Sequence, residues 1–279
     1  MKLAFSSNAY LKHPFDETAA RIAAAGYDGL ELLADVPHAW PAGLLEGPKQ
    51  AIREAMARHG LAFSNINAFM MNAVADHRQP YWHPSFLEPD EAYRRVRIDH
   101  TRRALDLCAE LGAPHITTEP AGPIPPGMSR AQAVDLFVET LKPLAAHAEK
   151  LGILLLIEPE PDLLLERTDQ YVEIHERVNS PALGLNFDVG HAFCMSEDLP
   201  RAIKAMAPLT RHYHLEDIAA TRVHHHMIPG DGVIDFAEVV AAIKSTGYDG
   251  WLTVELYPFQ DDPDVAARRA FEVLKPLVG

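Results

Sequence analysis

Cysteine is scarce: the 279 residues hold two, Cys108 and Cys194, which make neither a disulfide framework nor a C-x-x-C ligand pair. A reducing, cytoplasmic location is therefore expected. Cations are also short, with 25 Lys and Arg against 39 Asp and Glu and a formal net charge of −14. Neutralising a phosphate backbone needs clustered cations, so nucleic acid is not an expected partner. No apolar stretch approaches the ~20 residues that span a bilayer, and Met1–Tyr10 turns polar too soon for a signal-peptide core. No membrane partner is expected. With 48% hydrophobic residues the chain can bury a large core, and one domain over residues 1–279 suffices.

What the sequence does contain is alternation. Apolar runs at Lys2–Ser6, Asp28–Leu33, Ala62–Asn67, His115–Glu119, Ile153–Glu158, Leu183–Asp188, His212–Leu215 and Trp251–Leu256 read as strands. Between them, amphipathic stretches at Pro14–Ala25, Gly47–His59, Asp90–Leu111, Arg130–Leu151, Thr168–Val178, Leu199–Ala207 and Asp235–Thr246 read as helices, and Pro263–Leu277 closes the chain. Ser129 with Gln132 has the spacing of a capping box, and Gly-Tyr-Asp-Gly at residues 26–29 and 247–250 marks two helix ends. Strict alternation predicts an α/β protein, a (β/α)8 TIM barrel, with its site at the C-terminal ends of the strands. Two connections, Ala68–Pro89 with Tyr81-Trp82-His83-Pro84 and Glu216–Ile234 with His224-His225-His226, exceed what a βα turn needs. Loops of that length are functional or disordered, and the aromatics favour an ordered lid for the first.

Four of the runs end on a group that binds metals or protons: ILLLIE on Glu158, LGLNFD on Asp188, HYHLE around His214 and WLTVEL around Glu255. One imidazole and three carboxylates suit a divalent cation. Each residue also has a plainer role open to it. A carboxylate after an apolar run is costly unless it reaches solvent, a cation or a positive side chain, which favours function for Glu158. Asp188 can simply cap the helix after its strand. His214 can be a neutral barrel histidine, and His212 shares its face, so periodicity does not choose between them.

The segments Ile157-Glu158-Pro159, Asn186-Phe187-Asp188-Val189-Gly190-His191, His214-Leu215-Glu216-Asp217, Pro229-Gly230-Asp231-Gly232 through Asp235-Phe236, and Val254-Glu255 together resemble the xylose isomerase-like sugar phosphate isomerase/epimerase superfamily. The resemblance covers nearly the whole chain. It implies that Glu158, Asp188, His214 and Glu255 bind one divalent ion, Mn²⁺ first and otherwise Mg²⁺, Co²⁺ or Zn²⁺, and that Glu158 and Glu255 are also the catalytic acid/base pair. It further implies a homodimer or homotetramer, and it makes His191 a contact to a substrate oxygen or, in some members, to a further metal. At the position of His226 the ketose 3-epimerases have a substrate-holding arginine, which this chain lacks. That departure argues against a simple ketohexose, and against an anionic group bound at this point.

The expected activity is isomerisation or epimerisation of a small sugar, cyclitol or keto-sugar, by proton abstraction beside a metal-bound carbonyl through an enediolate. Dehydration of a keto-cyclitol or keto-glycoside is the alternative on the same site. An endonuclease-IV-like repair enzyme is disfavoured, because Asn65-Ile66-Asn67 and Thr118-Glu119 stand where that family needs further histidines. A non-catalytic protein capturing metal on His224–His226 is disfavoured by the two candidate proton carriers. Glu119 and Glu160 are further candidates for substrate hydroxyls. Phe69, Trp82, Phe193 and Phe259 are candidates for an apolar wall over the substrate ring.

Overall fold

The structure, a computed structural model, describes residues 1–78 and 82–279. Tyr81 of the expected lid lies outside them. Eight parallel strands pair in sequence order and close on themselves: β1 Lys2–Ser6, β2 Gly29–Leu33, β3 Ala62–Asn67, β4 His115–Thr118, β5 Leu154–Ile157, β6 Leu183–Asp188, β7 Thr210–Leu215 and β8 Trp251–Val254. Closure is made by β1 and β8, Lys2 to Phe5 against Trp251 to Val254. Glu119, Glu158 and Glu255 stand one residue beyond their strands, so their side chains leave the ladder at the barrel's C-terminal mouth.

The helices are α1 Phe15–Ala24, α2 Glu46–His59, α3 Glu91–Leu111, α4 Arg130–Leu151, α5 Tyr171–Val178, α6 Val189–Cys194, α7 Leu199–Met206, α8 Phe236–Ser245 and α9 Pro263–Val278. Local chemistry sets their ends. Ser129 and Gln132 form the reciprocal capping box at α4, and Asp90 accepts from the N–H groups of Ala92 and Tyr93 at α3. Gly26 and Gly247 take the left-handed backbone after α1 and α8. The short α6 departs from the expected alternation. Its six residues are too few for a helical hydrophobic period to register, yet Asp188 caps it through His191 N at 2.7 Å.

Apolar residues fill the layer between strands and helices. Inside the barrel the filling is partly polar: Asn65, His115, His212, Ser64 and Thr253 are buried and bonded to one another or to neighbours across the strands. Both long loops are tied down. Asp35 accepts from the N–H groups of Met71, Asn72 and Ala73 at 2.6, 2.6 and 3.0 Å, holding the start of the first loop. In the second, the Asp217 carboxylate accepts from Ile218, Gly230, Gly232 and Ile234 N–H at 2.8–3.0 Å. Gly232 is required there, because a Cβ would fall 2.4 Å from Asp217 Oδ1.

Candidate active site

Register brings the strand-end groups together. A shift between Leu185 and Asn186 sets Asp188 opposite His214, and bulges of this kind re-aim side chains at barrel rims. One ligating atom from each of Glu158, Asp188, His214 and Glu255 lies within 4.8 Å of the others, and all four residues are buried. His214 Nδ1 is 3.0 Å from Glu158 Oε1, 3.8 Å from Glu255 Oε2 and 3.9 Å from Asp188 Oδ2.

Each carboxylate commits one oxygen to the protein and turns the other to this centre. Glu158 Oε2 accepts from Asn186 Nδ2 at 2.8 Å, Glu255 Oε1 accepts from Asn8 and Asn67 Nδ2 at 2.9 and 2.8 Å, and Asp188 Oδ1 caps α6. Asp188 Oδ2 is buried and takes no hydrogen bond from an amide, hydroxyl or imidazole. Capping and facing the centre are thus compatible, one oxygen for each. Such a donor set, three hard carboxylate oxygens and one imidazole nitrogen gathered in a buried site, fits a divalent cation.

Protons occupy the site otherwise. Burial and then the charge of Glu158 push Asp188 up to about 7. Burial drives Glu255 well above the ordinary range; the charge of His214 opposes this, and those of Glu158, Glu31 and Asp188 add to it. Burial alone would lower His214, but Glu158, Glu31 and Glu255 raise it well above its usual value. Behind Asp188 the buried Glu216 is likewise raised, first by burial and then by Asp188. Gly190 makes room for it, since a Cβ there would fall 1.7 Å from Glu216 Oε1.

These shifts give the metal-free protein an unusual pH response. Carboxyls that hold protons longer when folded lower stability as pH rises from about 4; Glu119, pushed up to about 8 by burial, belongs with them. The stabilisation from protonated His214 is likewise lost as pH rises. The buried imidazoles of His191, His212 and His226, lowered chiefly by burial, oppose this trend only below about pH 6.5, where the unfolded chain protonates them. Thermal stability in chelator is therefore expected to fall between about pH 6.5 and 8, and added Mn²⁺ to reverse the fall by replacing the protons. Melting curves across that window check this; a flat or rising trend in chelator contradicts it.

The cavity beside the cluster is lined by Glu158, Glu255, Glu160, Asn67, His191, His224, His226, Phe69, Met71 and Tyr257, with no Lys or Arg among its described lining. His191 Nδ1 donates to Pro159 O at 3.0 Å and His226 Nδ1 to Glu255 O at 2.9 Å, so each imidazole, when neutral, keeps Nε2 as an acceptor. The His224-His225-His226 run splits: His225 points to solvent, while His224 Nε2 sits 3.1 Å from His226 Nε2, and His191 rather than His225 completes that group. Glu160 lines the cavity, its Oε1 accepting from Trp82 Nε1 at 3.0 Å and its Oε2 buried without a donor.

Several residues lie elsewhere than expected. Glu119 is fully buried outside the cavity wall, 3.4 Å from Arg97 Nη2 and accepting from Phe86 N. Its strand end is covered by the first loop, which turns the carboxylate inward to a cation. Trp82 supports Glu160 rather than forming the wall. Phe193 lies under the Arg222 guanidinium and Phe259 packs on the core, leaving Phe69, Met71 and Tyr257 as the apolar wall. His212, the rival of His214, is spent on Asn186 Oδ1 and Thr253 Oγ1 at 3.0 and 2.8 Å. Sequence reasoning missed Glu31, Glu216, Asn8, Asn186 and Tyr257. Glu31 carried a signal, a carboxylate closing the apolar Gly29-Leu30 of the Gly-Tyr-Asp-Gly motif whose second copy precedes Glu255.

A closed parallel barrel with three carboxylates and an imidazole gathered at its mouth defines a (β/α)8 protein with a candidate metal centre. The chain belongs to the xylose isomerase-like TIM barrel family, whose profile matches residues 19–277. Fructoselysine 3-epimerase of Escherichia coli O157:H7 is 25% identical over 287 residues, covering 100% of this chain and 98% of that protein. Inosose dehydratase of Geobacillus thermodenitrificans (strain NG80-2) is 23% identical, covering 90% and 84%. Among solved structures, a D-tagatose 3-epimerase-like protein shares the fold with TM-score 0.82 at 23% identity, covering 100% and 97%. IOLI protein with a binding zinc atom does so with TM-score 0.78 at 20% identity, covering 100% and 98%. No helix among the described residues is long and apolar enough to cross a membrane.

Proposed function

We propose that the chain is a divalent-metal-dependent isomerase or epimerase of an uncharged sugar, cyclitol or keto-sugar, with Glu158 and Glu255 as its proton carriers. One observation carries this reading: the two glutamates follow β5 and β8, on different sides of the mouth, and each keeps one oxygen on an amide donor and turns the other to the centre around His214. Glu158, Asp188, His214 and Glu255 would hold the ion, with Mn²⁺ first among the candidates. Bound there, a divalent ion supplies Lewis acidity toward a chelated carbonyl and its neighbouring hydroxyl, easing removal of the proton on the carbon between them.

The side chains then divide the work. One glutamate takes that proton; return by the other on the opposite face inverts the carbon, and shuttling by one glutamate along a single face gives an aldose/ketose exchange. His191 with Nε2 as acceptor, His226 paired through Nε2 with His224 at 3.1 Å, and Glu160 suit the substrate's hydroxyls. Phe69, Met71 and Tyr257 offer an apolar wall that limits water. Without Lys or Arg at the described wall, a phosphate or carboxylate on the substrate has no partner.

The inosose dehydratase relative supports a second reading, in which the same abstraction expels a β-hydroxyl. Incubation in D₂O with Mn²⁺ and a panel of ketoses, inososes and 3-keto-glycosides tests both. Deuterium in an isomeric product is expected; loss of water with deuterium exchange indicates the lyase. No exchange into any of them in the metal-loaded protein sinks the proposal.

A further inference from the structure

We propose that Glu31 is a positioning residue which holds the Nε2 proton of His214 and thereby presents Nδ1 as the metal ligand; this rests on the reading of His214 as a ligand given above. Glu31 and His214 are both fully buried, with Glu31 Oε2 2.7 Å from His214 Nε2, the ring nitrogen other than the one at the centre.

The direction of this contact follows from a line of groups inside the barrel. Asn65 Oδ1 is a carbonyl oxygen that only accepts, so His115 Nδ1, at 2.8 Å, donates to it. That assigns both Asn65 hydrogens to the other side, where Nδ2 donates to Glu31 Oε2 at 2.7 Å and to Thr117 Oγ1 at 2.8 Å. Asn67 Nδ2 approaches Glu31 Oε1 at 3.5 Å. Surrounded by donors, Glu31 serves as an acceptor, and the proton between it and His214 sits on Nε2. The ring then has Nδ1 left, 3.0 Å from Glu158 Oε1 at the centre.

Glu31, His212 and His214 also lie close enough to suggest an ion of their own. The bonding argues against it. Both nitrogens of His212 are engaged, and Glu31 Oε2 already receives an amide. A carboxylate behind a ligand imidazole fixes the tautomer, orients the ring and raises its basicity, and its loss typically costs about 10–100-fold in metal affinity. The register shift in β2–β3 between Leu30 and Glu31 is what turns this carboxylate inward toward Asn65.

The experiment is Mn²⁺ binding by calorimetry and chelator competition on wild type, Glu31→Gln and Glu31→Asp, with melting curves in chelator to verify folding. Glutamine keeps the shape without the charge; aspartate keeps the charge but is one methylene short of Nε2. Both variants are expected to raise the dissociation constant about 10–100-fold. Imidazole ¹⁵N–¹H spectra of the Zn²⁺-loaded protein, with His214→Asn as the assignment control, are expected to show a downfield Nε2–H that moves upfield in Glu31→Gln. Wild-type affinity in Glu31→Asp means that charge at a distance suffices and overturns the positioning role. So does an unmoved Nε2–H, which remains a test if Glu31→Gln binds too weakly for calorimetry. If wild type itself binds no ion, the metal reading fails instead, a result distinct from ion binding that ignores Glu31.

Discussion

Replacing Glu158 or Glu255 by glutamine is expected to slow product formation by about 10²–10⁴-fold, the usual worth of a positioned acid/base group. Glutamine preserves size and can still accept from Asn186 at residue 158, or from Asn8 and Asn67 at residue 255, so the fold should persist while the base is lost. Mn²⁺ affinity should weaken but remain measurable, because three ligands and the supporting amides are intact. Exchange in D₂O separates the two chemistries. If the glutamates serve opposite faces, each variant stops interconversion yet still exchanges the proton of one epimer; if one glutamate does all the work, a single variant loses exchange altogether. Full activity in both variants contradicts the assigned roles.

Asp217→Ala is the second large expectation, and it concerns stability. The Asp217 carboxylate takes four backbone N–H groups across residues 218 to 234, and its backbone pairs with Met227 in both directions at 2.8 Å. Hydrogen bonds to a charged group are worth about 1.5–3 kcal/mol each and do not add fully, so a loss of roughly 3 kcal/mol or more is expected by urea denaturation. The same knot positions His224 and His226 at the cavity, so substrate binding should fall further than metal binding. Asp217→Asn, which keeps one good acceptor oxygen, should lie between. A loss below about 1 kcal/mol for the alanine variant would show that the loop is held by other contacts.

Strand and helix alternation was legible because its cause is local. Side-chain period, capping chemistry and helix-ending glycines act within a few residues, and β3, β6, α3 and α4 emerge with nearly their sequence-read limits. The six-residue α6 and the 3-10 turn Thr168–Gln170 before α5 escaped, since neither spans enough turns to produce a period. Strand-end carboxylates were legible for a different reason. A charge closing an apolar run must have a compensating partner, which singled out Glu158 and Glu255 in advance.

Glu119, a further candidate for a substrate hydroxyl, shows what a strand-end position does not reveal: it lies outside the cavity lining. Its neighbour is Arg97, brought over from α3 to 3.4 Å, which only partly offsets the burial that pushes Glu119 up to about 8. His212 and His214 present the same case: alternation places both on one face, and only the approach of Glu31, Asn186 and Thr253 from other strands assigns one to the centre and the other to the barrel lining. By itself, then, the sequence determined which residues lie at strand ends and which of them carry groups that are costly to bury, because period and desolvation cost are properties of short segments. Which groups compensate one another was decided by barrel closure and by the register shifts at Glu31 and Asn186, because hydrogen bonding and charge pairing depend on distances of about 3 Å between residues up to 247 positions apart.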